Sequence, residues 1–264
     1  LCRTRVIEGT LDGRLIALDA RSGKPSTHFG NNGQVDITVG MGQTPPGDVS
    51  INSPPAVVRG VVVTGHRVLD GQKRYEQSGV IPGFDAVTGK LRWAWEMIHS
   101  EWKGTPPPGQ SWTRVKPNMW TAAAADEQLG YVYLPMGNST ADHWSSSRTP
   151  QENRYATSLV ALDVTTGKPV WNLQTTHIDA WYDDLRSQPS LIGFPKNGVN
   201  VPAVLLPSKQ GELYVPDRRT GKSLVGVEER AVPGGPVEPQ MRAKTQPFSL
   251  YHPLRKPDLT ERDI

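Results

Sequence analysis

Four segments of the chain repeat one pattern, an apolar strand followed by Asp-x-x-Ser/Thr-Gly-Lys. They are LIALDARSGK (15–24), IPGFDAVTGK (81–90), LVALDVTTGK (159–168) and LYVPDRRTGK (213–222). Their aspartates, Asp19, Asp85, Asp163 and Asp217, stand 66, 78 and 54 residues apart. Two copies run on to a tryptophan three residues past the lysine, Trp93 and Trp171. The pattern describes a tight hairpin. The aspartate side chain accepts from the backbone N–H two residues on, which opens a turn. The glycine (Gly23, Gly89, Gly167 or Gly221) supplies the positive φ that closes it. Further strand-like runs lie between the copies at 56–65, 129–137 and 201–208, so each spacing holds about four short strands and a variable loop. One such hairpin is a common turn. Four in succession, each after an apolar strand, predict an all-β radial array, a β-propeller.

Composition narrows the class further. The 264 residues include 26 Gly and 24 Pro, which interrupt helices and exclude a helical bundle. No apolar run approaches the roughly 18 residues of a membrane span. The charges, 29 Lys+Arg against 26 Asp+Glu, are scattered, so no nucleic-acid partner is expected. A single cysteine, Cys2, makes neither an internal disulfide nor a metal cluster. The six histidines lack metal-ligand spacing, and no G-x-G-x-x-G opens a nicotinamide fold. The stretch RTPQENRYATS (148–158) reads as a polar loop with solvated charges. The chain begins with Leu1 and shows no signal peptide, which predicts a processed or truncated piece of something longer.

The hairpin followed by Trp resembles the tryptophan-docking repeat of the quinoprotein dehydrogenases, whose eight blades close around pyrroloquinoline quinone (PQQ). Longer strings carry the resemblance along the chain: 12–36, 78–96, 117–138, 154–171, 207–222 and TQPFSLYHPLRKPDLTERD (245–263). They resemble the membrane-bound glucose and quinate dehydrogenase branch. The resemblance implies that residues 1–264 form a partial PQQ-binding β-propeller domain, about four of the eight blades. It implies PQQ-dependent oxidation of a sugar or cyclic polyol, with electrons passed to ubiquinone. It also implies a location on the periplasmic face of the bacterial inner membrane, through a membrane segment outside this chain.

The resemblance further implies site residues. Asp70 in VLDGQ and Thr140 in MGNST match positions that hold Ca²⁺ or Mg²⁺, although Gly71 replaces the amide-bearing Asn expected beside Asp70. Trp120 in PNMWTAAA matches the platform on which PQQ stacks, and it stands outside the repeat positions occupied by Trp93 and Trp171. Lys209 matches the lysine that reaches the ring carbonyls, a cofactor-binding and catalytic role. In HIDAWYDDL, Tyr182 stands where the proton-accepting Asp belongs, and Asp183 follows it. Asp183 is the catalytic carboxylate on this reading, provided that the loop bulges, because a one-residue shift in extended chain turns a side chain to the other face. Pro82 replaces an expected Arg and removes a donor from its strand. The alternative is a non-catalytic propeller scaffold or an inactive dehydrogenase fragment; Gly71 and Tyr182 favour it, while Trp120 and Lys209 oppose it. Half a ring leaves two apolar blade faces without neighbours, so the isolated piece is expected to aggregate. Light scattering that found a monodisperse, sharply melting monomer would contradict this.

Overall fold

In the computed structural model, which describes residues 4–102, 104–234, 237–238 and 241–254, all four repeats close hairpins. Cys2 and the end of the last matched string, 255–263, lie outside the described residues. Asp85 Oδ1 accepts from the N–H groups of Val87 (3.0 Å) and Thr88 (2.8 Å), and Asp163 Oδ1 from those of Thr165 and Thr166 at 2.9 Å each. In every copy the glycine N–H donates to the aspartate carbonyl at 2.8 Å, with glycine φ between +67° and +73°.

The strands form successive antiparallel sheets. The first contains β1 (Arg5–Gly9), β2 (Arg14–Asp19) and β3 (Gln34–Asp36). After it come β4 (Val49–Ser50), β5 (Ala56–Val58), β6 (Val61–Val63), β7 (Arg67–Val68), β8 (Ile81–Asp85) and β9 (Leu91–Trp95). Of these, β5-β6-β8-β9 make a four-stranded blade, and β4 pairs with β7. The next blade is β10 (Ala124–Asp126), β11 (Tyr131–Pro135), β12 (Ser158–Asp163) and β13 (Lys168–Gln174), with helix α1 (Pro150–Tyr155) between β11 and β12. The sheet of β14 (Ser190–Lys196), β15 (Val199–Pro207) and β16 (Leu213–Tyr214) follows, then the pair β17 (Val227–Ala231) and β18 (Thr245–Ser249).

Inner strands are buried on both faces. Val61 and Val63 of β6 enter the core shared with the following sheet, and Val62 enters the core shared with the preceding one. On β12, Val160 and Leu162 face back while Leu159 and Ala161 face forward. Period-two alternation between two apolar layers explains why these strands read as continuous apolar runs. The repeat tryptophans lock neighbouring blades together. Trp93 lies on Gly167 of the next hairpin, where an added Cβ would meet its ring at 2.5 Å, and its Nε1 donates to the Val164 carbonyl at 2.7 Å. Trp171 docks in the same way on Gly221, with Nε1 donating to the Arg218 carbonyl at 3.2 Å.

The 148–158 stretch departs from the polar loop expected of it. Residues 150–155 are helical, because Thr149 and Glu152 form a capping box with Pro150 in the first turn. Glu152 and Arg148 are buried at 4% and 6% exposure instead of solvated; the Glu152 carboxylate accepts from the Ser139 hydroxyl at 2.8 Å. Pro82 occupies a central strand without breaking it; it pairs with Ala94, and its carbonyl still accepts from Thr64 N–H at 3.4 Å.

Replacing Trp93, which is 5% exposed, with alanine should cost about 3–5 kcal/mol in chemical denaturation, from a cavity together with an orphaned carbonyl. Val170→Ala, at a position 42% exposed, should stay within about 0.5 kcal/mol.

Candidate active site

The connections β7–β8, β9–β10, β11–α1, β13–β14 and β15–β16 meet around one buried ammonium. Lys116, 2% exposed, donates from Nζ to Asp70 Oδ1 and, at 3.2 Å, to Asp142 Oδ1; Glu76 Oε2 lies 3.6 Å away. Burial alone would lower the lysine pKa, but the surrounding carboxylates outweigh it and hold the ammonium above its usual range. Burial pushes the Glu76 and Asp142 carboxyls up, and the Lys116 charge only partly opposes this. The lysine's own carbonyl accepts from the Ser139 hydroxyl and, at 3.2 Å, from Thr140 N–H. Thr140 in turn donates its hydroxyl to Glu76 Oε2 at 3.3 Å.

The 179–184 segment turns sharply because Asp179, fully buried, accepts from the Thr157 hydroxyl (2.7 Å), Trp181 N–H (2.9 Å) and Asp183 N–H (2.7 Å). Tyr182 takes φ +61°, a left-handed conformation rare for an aromatic residue. Its hydroxyl donates to Asp70 Oδ2 at 2.5 Å. Burial, then that hydrogen bond to a carboxylate, pushes the Tyr182 pKa well above the usual phenol value, so the group stays protonated. Lys209 Nζ donates to the Tyr182 carbonyl at 2.5 Å and lies 5.2 Å from its ring centroid. Asp184, 1% exposed, accepts from Asn138 N–H and from Trp120 Nε1 at 3.1 Å, which orients the indole. Its carboxyl is pushed up by burial. Above the indole, the Arg186 guanidinium sits 5.8 Å from the ring centroid.

These groups line a cavity of about 220 Å³ whose walls include Asp70, Lys116, Asn118, Trp120, Tyr182 and Arg186. Asn118 donates its amide to the His66 carbonyl at 2.7 Å, leaving its buried Oδ1 without a hydrogen-bond partner. Asp183 faces elsewhere. It lines a neighbouring cavity of about 300 Å³ with Thr176, Trp181, Gln210 and Tyr214. Burial, with the Asp179 charge beside it, pushes its carboxyl up to about 6.

Of the residues named from sequence, Asp70 and Trp120 therefore share one cavity, Lys209 reaches it across Tyr182, and Thr140 lies behind Lys116. Asp183 does not join them. Lys116, Glu76 and Asp142 are not marked by the sequence, and Asp184, within the 179–184 stretch of carboxylates, carries no assigned role there. The available signal was the position of Lys116, directly before the Pro-Asn-Met-Trp string (117–120).

The model of the glucose/ethanol/alcohol dehydrogenase β-propeller domain, a PQQ family, matches residues 1–264. The chain belongs to this family of PQQ-dependent dehydrogenases. It is 47% identical over 266 residues to the glycerol dehydrogenase large subunit of Gluconobacter oxydans, covering 100% of this chain and 36% of that protein. It is 41% identical over 263 residues to the quinoprotein glucose dehydrogenase of Escherichia coli, covering 100% of this chain and 33% of that one. For the quinate/shikimate dehydrogenase (quinone) of Acinetobacter baylyi the identity is 40% over 266 residues, covering 100% of this chain and 33% of the relative. The crystal structure of quinohemoprotein alcohol dehydrogenase from Comamonas testosteroni superposes with TM-score 0.66 at 27% identity, over 93% of this chain and 36% of that one. The chain thus spans about a third of the length of these relatives. The propeller fold expected from the hairpins and the oxidoreductase family implied by the resemblance stand. Among the described residues no helix is long and apolar enough to cross a membrane.

The family's cofactor and its metal fare differently against these side chains. An oriented indole face flanked by Arg67 and Arg186 fits a flat, anionic quinone, and the unpartnered Asn118 Oδ1, an acceptor, fits an N–H on the edge of such a ring. A divalent cation does not fit the arrangement, because the oxygens that would bind it are directed at Lys116.

His66 reports on the integrity of this layer. It is wholly buried, donates to the Ser78 carbonyl at 2.7 Å, and burial pushes its imidazole down to about 4 from 6.5. A depressed histidine pKa means that the unfolded chain binds more protons, so stability falls as pH drops from 6.5 toward 4. The loss should reach about 3 kcal/mol in urea titrations. His66→Gln should flatten that slope.

Proposed function

We propose that this chain supplies the cofactor-facing part of a PQQ-dependent dehydrogenase of polyhydroxy alcohols, of the glycerol, sugar or cyclic-polyol kind. The observation that carries the reading is the Trp120 platform, oriented by Asp184 and walled by cations beside an unpartnered amide oxygen. When bound, PQQ would supply the quinone that accepts a hydride, and with it both electrons, from the alcohol carbon. Trp120 would hold its plane, and the Lys209 and Arg186 cations would attract its negative charge. By the resemblance, the electrons would then pass to ubiquinone on the periplasmic face of the inner membrane.

Proton removal falls to Tyr182 and Asp70. A phenol pushed above its usual range is no base by itself. With Asp70 Oδ2 only 2.5 Å away, Tyr182 accepts the substrate hydroxyl proton at Oη as its own proton moves to the carboxylate. Asp183 is left out of this scheme, because its carboxylate lines the neighbouring cavity.

The same Tyr182–Asp70 bond favours a second reading, an enzyme that binds PQQ but turns over poorly. Tryptophan fluorescence should fall on PQQ addition to the full-length protein, with dye reduction on glycerol, glucose or quinate. Under the relay, Tyr182→Phe should cost about 10²–10⁴-fold in kcat with binding retained. Binding without turnover, rescued by Tyr182→Asp, would establish the second reading. Failure of PQQ to bind would overturn both.

A further inference from the structure

The resemblance puts a divalent cation between Asp70 and Thr140, yet Lys116 already reaches into that space. We propose that the Lys116 ammonium is the built-in cation of this site and that the cofactor is held there without Ca²⁺ or Mg²⁺. This rests on the PQQ reading of the cavity.

The contacts account for nearly every oxygen that a metal would need. Asp70 gives Oδ1 to Lys116 and Oδ2 to the Tyr182 hydroxyl. Glu76 gives Oε1 to Gly71 N–H at 2.6 Å and Oε2 to the Thr140 hydroxyl at 3.3 Å. Asp142 gives Oδ1 to Lys116. Gly71 adds no side-chain oxygen at the position where the resemblance expects an amide. Ca²⁺ asks for six to eight oxygens in one shell, and such a shell would have to be assembled against a buried like charge. Among the described residues no group of three His, Cys, Asp or Glu converges with the geometry of a metal site. The ammonium is well secured. It is 2% exposed, it donates to Asp70 and Asp142 with Glu76 3.6 Å away, and its carbonyl is pinned by Ser139 and Thr140. It lines the cavity beside Trp120 and Tyr182, so the wall against which a bound quinone would lie already carries a cation paired with its carboxylates.

The test uses the full-length protein stripped with a chelator. Calorimetry with Ca²⁺ alone should show no saturable binding, and PQQ affinity should differ by less than about twofold with and without Ca²⁺. Lys116→Ala should acquire Ca²⁺ binding, and its PQQ affinity should become Ca²⁺-dependent by more than about tenfold. Stoichiometric Ca²⁺ binding by the unsubstituted protein, abolished by Asp70→Asn, would overturn the proposal, and this comparison decides the matter even where Lys116→Ala fails to fold. Absence of PQQ binding in both conditions would count against the cofactor reading alone, because the calcium titration needs no PQQ.

Discussion

Everything in this molecule depends on how one blade seats on the next. A strand such as β6 is apolar on both faces and is stable only between two other sheets. Trp93 sets the distance. Its ring needs a flat glycine at the following hairpin, and its indole N–H needs the carbonyl that the hairpin leaves free. The first blade has no tryptophan at that place and docks by backbone instead, with Gly30 N–H donating to the Thr88 carbonyl at 2.8 Å beside Gly89. Once the blades are seated, their connections meet, and Asp70 hydrogen-bonds a tyrosine 112 residues away.

At that meeting point charge is balanced locally. A buried ammonium is tolerable only with carboxylates around it, and buried carboxylates only with donors. Lys116 and Tyr182 meet at the half-buried Asp70, which accepts from both, and loss of Asp70 would leave the buried ammonium with one hydrogen-bonded carboxylate fewer. The site is consequently a coupled unit of lysine, phenol and carboxylates, with Trp120 fixed beside it through Asp184. Changes to one member alter the hydrogen bonding of the others.

Local chemistry made much of the fold legible. The hairpins could be read because Asp85 accepts from residues two and three positions on, and because Gly89 needs its φ of +68° whatever surrounds it. Trp120 stood out by falling outside the repeat. Lys116 did not stand out, because its partners Asp70 and Asp142 lie 46 and 26 residues away and nothing in its neighbourhood marks it as buried. The 148–158 segment misled for the same reason. Its charges look solvated until Ser139, 13 residues earlier, is seen against Glu152.

The amino-acid sequence by itself determined the all-β class and the repeat, since these rest on turn chemistry and strand alternation within a few residues, and the family through longer matched strings such as 117–138. The tertiary structure alone decided which way Tyr182 and Asp183 point. That choice hangs on Asp179, whose carboxylate is fixed by Thr157, 22 residues away in another part of the blade. With that anchor the turn takes a left-handed residue at Tyr182, sending the phenol to Asp70 and its neighbour to the adjoining cavity. Adjacent side chains in an extended chain leave on opposite sides, and only the packed blades determine which side holds the site.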